Sequence, residues 1–290
     1  RKKITLIDYE NIRDNHSRRY LGFGRFAGII GCYNSLNLFL ENSGQNSMPR
    51  AYELNSYEEL KKNISKKDFG NIKIVVTGDG RVANGVLEFL KYTNIVKITP
   101  EQYLLNKKTS SVFCNLQTSQ YVINQDGKDF NLQHFINSPE KYNSILNKYI
   151  PNTNMLISAH YWDPNSPRLF EKEDIAKYNN LQVIGDITCD INGSIPTTLR
   201  SSTITDPYYY FDRTQLKETD KNKNALAVMA VDNLPSELPR DSSKEFGDGI
   251  VKEVIPFIIE KDDGRIDNAT ITKQGVFCPK YDFLNYFIKD

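Results

Sequence analysis

"KIVVTGDGRVANGVLEFLKYTNIVKIT", residues 73–99, decides the fold. Ile74, Val75 and Val76 form a β-branched run suited to a buried strand. Gly78 and Gly80 punctuate it, and "RVANGVLEFL" then reads as a helix. "NIVKIT" is a second short strand, and "PEQYLLN" opens the next element. Strand, tight turn, helix, strand is the unit from which parallel sheets are built. Gly78-Asp79-Gly80-Arg81-Val82-Ala83 also fits G-x-G-x-x-G/A. In that pattern the first glycine makes the turn and the second admits a pyrophosphate. The small third residue lets helix and sheet approach, and the helix N-terminus offers N–H groups to the phosphates. A tight turn holding no ligand produces the same letters. The acid that usually holds an adenosine ribose lies about 20 residues further on. Here that window holds Lys97 and, beyond Pro100, Glu101, so NAD and NADP both stay open.

Outward from this unit the alternation continues. "SPEKYNSILNKYI" reads as a helix, "TNMLISAHYW" as a strand, "EKEDIAKYN" as a helix and "LQVIGDITC" as a further strand. The fold class expected is α/β, a Rossmann-like doubly wound parallel sheet. After Asp190 the rhythm breaks in a Thr-, Ser- and Tyr-rich stretch. "NALAVMAVDNLP" is then another strand entering a loop, and "SKEFGDGIVKEVIPFIIE" a helix. Upstream, "KITLID" reads as a buried strand and "GFGRFAGIIGCYNSLNLFLEN" as a helix whose small residues admit a neighbouring backbone. An amphipathic helix is expected from about Ser56. The organisation expected is three segments. Residues 1–45 are the remainder of a second α/β lobe with a connecting helix, 46–235 the nucleotide-type domain, and 236–290 helices returning to the first lobe.

Composition narrows the classes. The 290 residues include 39% hydrophobic ones, enough for a packed core. Lys and Arg number 37 against 36 Asp and Glu, which gives no overall pull toward nucleic acid or an anionic membrane. Cys32, Cys114, Cys189 and Cys278 are far apart without a C-x-x-C pair, which points to reduced thiols in a cytoplasmic enzyme and away from structural zinc. No apolar run approaches the roughly 18 residues of a spanning helix, and the start does not read as a signal peptide. The chain opens on Arg1 inside a strand-like stretch, so further chain upstream is expected.

Candidate contacts cluster at expected strand ends. Arg18, Arg19 and Arg25 flank the start of the small-residue helix; a guanidinium can fork a carboxylate, and solvated arginines give the same pattern. His160, Tyr161, Trp162 and Arg168 follow a strand; His160 is either an acid/base or a packed ring. Asp186 and Asp190 are spaced for loop hydrogen bonding better than for a metal, and no metal site is expected. Asp232 and Asn233 stand where a ligand contact or a helix-entry turn would fit.

Taken together, "LIDYEN…RRYLGFGRFAGIIG", "VTGDGRVANGVLEFL", "YWDPNSPRL…GDITCDINGSIPTTLRSSTITDPYYYFD" and "VMAVDNLPSELPRDSSKEFGDGI" resemble the saccharopine dehydrogenase (lysine-forming) and lysine–ketoglutarate reductase family. That family is related in fold to alanine dehydrogenase and the transhydrogenase nucleotide-binding subunit. The resemblance implies reversible NAD(P)-linked hydride transfer between saccharopine and the imine of lysine with 2-oxoglutarate. A related amino-acid or opine dehydrogenase, or a catalytically deficient nucleotide-binding regulatory protein, are the alternatives. It implies small-molecule substrates, neither nucleic acid nor membrane as partner, and no particular oligomeric state. By the family pattern, Gly80 and Arg81 contact the cofactor phosphates, with Gly78 making the turn of the cofactor site, and Tyr161 and Ile187 line the pocket. Val231, Asp232, Asn233 and Leu234 close over it, while Arg19 and Phe23 meet substrate. The family's catalytic lysine and histidine come from a segment upstream of "LIDYE". His16, His134 and His160 match neither, and the family's ribose acid and a further substrate arginine are also missing.

Overall fold

The computed structural model describes residues 2–105 and 110–287. The chain divides into two compact units, residues 24–239 and residues 1–23 with 240–290.

The larger unit is built on one sheet. Its strands, in chain order, are β1 (Lys73–Thr77), β2 (Val96–Lys97), β3 (Val112–Leu116), β4 (Met155–Ser158), β5 (Val183–Asp186), β6 (Tyr208–Asp212), β7 (Glu218–Thr219) and β8 (Ala225–Met229). In space they run β7-β6-β8-β5-β4-β1-β3-β2. The six from β8 to β2 are parallel, and β6 and β7 add an antiparallel edge. The parallel, doubly wound sheet is therefore present.

Strand alternation assigns each residue to a face. Ile74 and Val76 join Met155, Ile157, Val183, Ala227 and Met229 on one side. Val75 faces the other with Cys114, Leu156, Ile184 and Val228. Strands buried on both faces read as continuous apolar runs, which is why "KIVV" carries no polar alternation. The first face is covered by α1 (Gly24–Asn42), α2 (Tyr57–Ile64) and α3 (Arg81–Leu90). Ser56 caps α2, its side chain accepting from the Glu59 N–H. Residues 28–40 of α1 are buried throughout, so this helix has no solvent face.

α1 and α3 cross at glycines. A Cβ on Gly28 would lie 2.0 Å from the Val82 carbonyl oxygen, and one on Gly85 would lie 2.1 Å from that of Arg25. This close crossing places α1 with the sheet. The compact units consequently divide after residues 23 and 239, where the sequence reading divided at 45 and 235.

The second face differs from expectation. "SPEKYNSILNKYI" is not a helix. It forms 3-10 turns at Pro139–Lys141 and Leu146–Lys148 around a strand, Tyr142–Ser144, that pairs with Val122–Asn124. Tyr142, Leu146, Tyr149 and Ile150 are buried at the spacing that suggested a helix. The low helix propensity of Tyr, Asn and Ser yields to cross-strand pairing. "EKEDIAK" likewise gives a 3-10 helix, Lys172–Lys177.

The smaller unit has a core of Ile12, Leu21, Val254, Ile266 and Ala269. "KITLID" contributes only Leu6–Ile7 to a three-stranded antiparallel sheet with Thr270–Lys273 and Val276–Phe277. Leu6 is 48% exposed, so the buried strand expected there is an exposed one. The polar stretch after Asp263 forms a helix at Arg265–Ala269 and the strand beyond it.

Candidate functional site

Because β1, β4, β5 and β8 are parallel, Gly78, Tyr161, Ile187 and Val231 all follow strand ends at the carboxyl edge of the sheet. In open α/β sheets ligands bind at that edge.

The turn after β1 is strictly built. Gly78 sits at φ +102°, in the left-handed region, and a Cβ there would meet the Ala159 carbonyl oxygen at 2.5 Å. Any other residue is excluded twice over. Gly80 is the N-cap of α3, has no side-chain cap, and a Cβ on it would meet nothing within 4 Å. The ten-residue α3 thus presents its N-terminal N–H groups beneath open space, as a pyrophosphate requires. Ala83 is buried against the sheet, the small third position of the pattern. The chain's own residues therefore fit a dinucleotide's phosphates.

Two side chains that hold this turn escaped the sequence reading. Asn115 on β3 donates from Nδ2 to the Gly78 carbonyl at 2.8 Å and to that of Val76 at 3.3 Å. Thr77 pairs through Oγ1 with His160 Nδ1 at 2.8 Å. His160 packs 5.7 Å from the Tyr121 ring, and its Nε2 is sealed from solvent with no hydrogen-bond partner among the described residues. Desolvation brings its pKa down to about 4, so the ring is neutral near pH 7 and is a support of the turn.

The strand order corrects the ribose window. β3, and not "NIVKIT", lies beside β1; β2 is displaced to the outer edge. The strand end next to the glycine turn is therefore Leu116-Gln117. A cavity of about 460 Å³ opens there, lined among others by Lys97, Thr99, Gln102, Asn115, Gln117 and Gln120. None of its lining residues is a carboxylate. The missed strand "VFCNL" was the signal.

The remaining candidates fall as follows. Arg81 opens α3 and is exposed. Tyr161 is 88% exposed at the edge. Ile187 lies against α1 at Gly31. Val231 and Leu234 are buried, while Asp232 and Asn233 are exposed, with Asn233 immediately preceding the 3-10 helix Leu234–Glu237 and making no side-chain cap. Glu237 anchors this loop from below. It accepts from Asn34 Nδ2 at 2.7 Å and pairs with Arg50 at 3.4 Å, and burial raises its pKa. Asp186 is fully buried and accepts from Thr188 and Thr198 hydroxyls, each at 2.6 Å, its pKa raised by desolvation. Arg25 forks Glu88 at 2.7 and 2.5 Å, a structural pair between α1 and α3. Arg19 and Phe23 belong to the smaller unit. Arg19 pairs with Glu10 at 3.2 Å, and Phe23 stacks on Phe246 with ring centres 4.6 Å apart. Among the described residues, no cluster of His, Cys, Asp or Glu is placed to hold a metal ion, and no helix is long and apolar enough to cross a membrane.

A parallel doubly wound sheet with an open glycine corner at its carboxyl edge defines the Rossmann-like class. Residues 115–278 match the model of the alanine dehydrogenase/PNT C-terminal domain, and the chain belongs to that family. An L-alanine dehydrogenase structure aligns over 98% of this chain and 69% of its own, with 13% identity and a TM-score of 0.53, which bears on the fold. The mitochondrial alpha-aminoadipic semialdehyde synthase of Mus musculus is 24% identical over 98% of this chain and 36% of its own length. The Arabidopsis thaliana alpha-aminoadipic semialdehyde synthase is 26% identical over 98% and 31%. The chain spans about a third of the length of these curated relatives. The family relation expected from the sequence is the one found.

Proposed function

We propose that the chain is an NAD(P)-linked oxidoreductase of lysine metabolism, interconverting saccharopine and the imine of lysine with 2-oxoglutarate. The observation that carries the coenzyme reading is the open, uncapped N-terminus of α3 at Gly80. Support for the reaction comes from the resemblance of four ordered segments and from the relatives named above. When bound, the coenzyme donates or accepts the hydride.

The chain's own residues orient it. Gly78, Gly80 and Arg81 would hold the pyrophosphate, and Tyr161 and Ile187 would flank the nicotinamide end. Val231, Asp232, Asn233 and Leu234 would close over it. The cavity at Gln117 favours the 2′-phosphorylated coenzyme: it offers Lys97 and amides, and lacks the carboxylate that accepts from an unmodified ribose. Arg19, in the unit that would form part of the substrate lobe, would exchange its half-exposed Glu10 partner for a substrate carboxylate.

The test couples binding to turnover. Lysine plus 2-oxoglutarate is assayed at the nicotinamide absorbance band with NADH and NADPH, and saccharopine with NAD and NADP. In parallel, reduced coenzyme is titrated by fluorescence into the protein and its Gly80→Asp variant. The variant is expected to keep its melting temperature, since the new side chain enters open space, and to lose binding through crowding and like charge. Unchanged affinity removes the glycine corner from the coenzyme site. Binding without turnover of any of these substrates, in the presence of turnover of another amino or opine acid, transfers the reaction to that substrate.

A further inference from the structure

The sheet edge opposite the glycine corner carries a second cavity, of about 630 Å³. Parallel strands begin there, with Gln182 just before β5 and Ala225 opening β8. β6 runs the other way. Its last residue, Asp212, pairs with Ala225, so the chain delivers Arg213 to the same edge. Arg213, Lys221 and Lys223 line the cavity together with side-chain amides such as Asn42, Asn179 and Asn222, and none of its lining residues carries a carboxyl group.

Arg213 is the residue that structure alone leaves incomplete. It is only 8% exposed. Its Nη1 donates to the carbonyls of Ile175 at 3.2 Å and Tyr178 at 3.1 Å, and Nη2 donates to that of Leu181. These bonds fasten the end of the 3-10 helix at 172–177. They occupy three of five guanidinium hydrogens and do not cancel the charge. A buried charge is ordinarily matched by an opposite one, yet Arg213 forms no ion pair among the described residues. The neighbouring Asp212 accepts through Oδ1 from the N–H groups of Thr214 and Gln215, at 2.8 and 2.7 Å, and forms no ion pair with Arg213 among the described residues. Lys221 reaches the Glu41 carbonyl oxygen at 3.4 Å and lies 5.9 Å from the centre of the Tyr210 ring, and it forms no ion pair among the described residues.

We propose that this basin is a binding site for a small phosphate-type oxyanion, with Arg213 as its buried cation and Lys221 and Lys223 at its rim. A multivalent oxyanion brings the missing negative charge and several acceptor oxygens to a lining of cations and amides. Its placement at the amino edge separates it from the coenzyme turn and from the function proposed above.

The experiment is calorimetric titration of the whole chain at low ionic strength with inorganic phosphate, and separately with adenosine 5′-monophosphate. Three proteins are compared: unmodified, Gly80→Asp, and Lys221→Ala with Lys223→Ala. Gly80→Asp closes the glycine corner to phosphate. The lysine pair is at the surface and spares the fold, which replacing Arg213 by an apolar residue would endanger. Saturable phosphate binding that persists in Gly80→Asp and weakens about tenfold or more in the lysine double variant is the expected result. A tighter monophosphate than phosphate in Gly80→Asp identifies a phosphate ester as the natural ligand, and the reverse order identifies the free ion. Absence of saturable binding overturns the proposal. So does binding lost in Gly80→Asp and retained in the lysine variant.

Discussion

One imidazole should contribute a separable share of this protein's sensitivity to acid. His160 supports the glycine corner as a neutral ring, and burial brings its pKa from 6.5 to about 4. Well above pH 6.5 the ring is neutral in folded and unfolded chains alike, so it contributes nothing to the pH dependence there. Between 6.5 and 4 the unfolded chain takes up a proton that the folded chain refuses, so stability falls as pH falls. It levels off once the folded ring also titrates. Carried through proton linkage, that gap corresponds to about 3 kcal/mol in full, with roughly 2 kcal/mol gone by pH 5. His160→Asn keeps a polar atom near Thr77 and cannot titrate. Urea unfolding followed by the fluorescence of Trp162, the single tryptophan, measures both proteins from pH 7.5 to 4.5. Asp186, whose pKa is raised, acts with the opposite sign, because a folded chain that binds the proton more readily gains as pH falls. That contribution is common to both proteins and drops out of the difference. Stability curves that run parallel from pH 6.5 to 5 would refute the sealed, neutral imidazole.

Two further outcomes follow from the same geometry. Gly85→Ala drives a methyl group into the Arg25 carbonyl at the crossing of α1 and α3, and should cost about 1–3 kcal/mol or more by denaturant unfolding; a neutral result would mean that the two helices do not cross there. On the proposed reaction, Arg19→Ala should weaken 2-oxoglutarate by about 2–3 kcal/mol, seen as a raised KM with coenzyme affinity unchanged. An effect confined to the coenzyme would assign Arg19 a different role.

The glycine corner was legible because its signals are local: a β-branched run, two glycines at fixed spacing and a helix start lie within residues 74–90. β3 was not. "VFCNL" is short and borders polar residues on both sides, and its position depends on pairing with β1, some forty residues earlier in the chain. The ribose window was consequently sought at the wrong strand. β6 was hidden inside a Tyr-rich stretch read as irregular, although Tyr209 and Phe211 join the core on one face of the sheet while Tyr208 and Tyr210 pack against the core on the other, the alternation a strand requires. The supports of the corner, Asn115 and His160, act across strands, and spacing along the chain carries no trace of such contacts. Helical periodicity at 142–150 was read correctly as burial and incorrectly as backbone shape.

The insertion of β3 between β1 and β2 has a consequence for synthesis. A nascent chain that has reached residue 99 already contains the entire glycine corner, but β1 has neither of its flanking partners. One arrives with residues 112–116 and the other only with 155–158. Until then an apolar ribbon with two open edges waits on the ribosome, prone to pairing with other extended chains. Slower synthesis across that interval should therefore lengthen the exposure of those edges and lower the yield of folded chain.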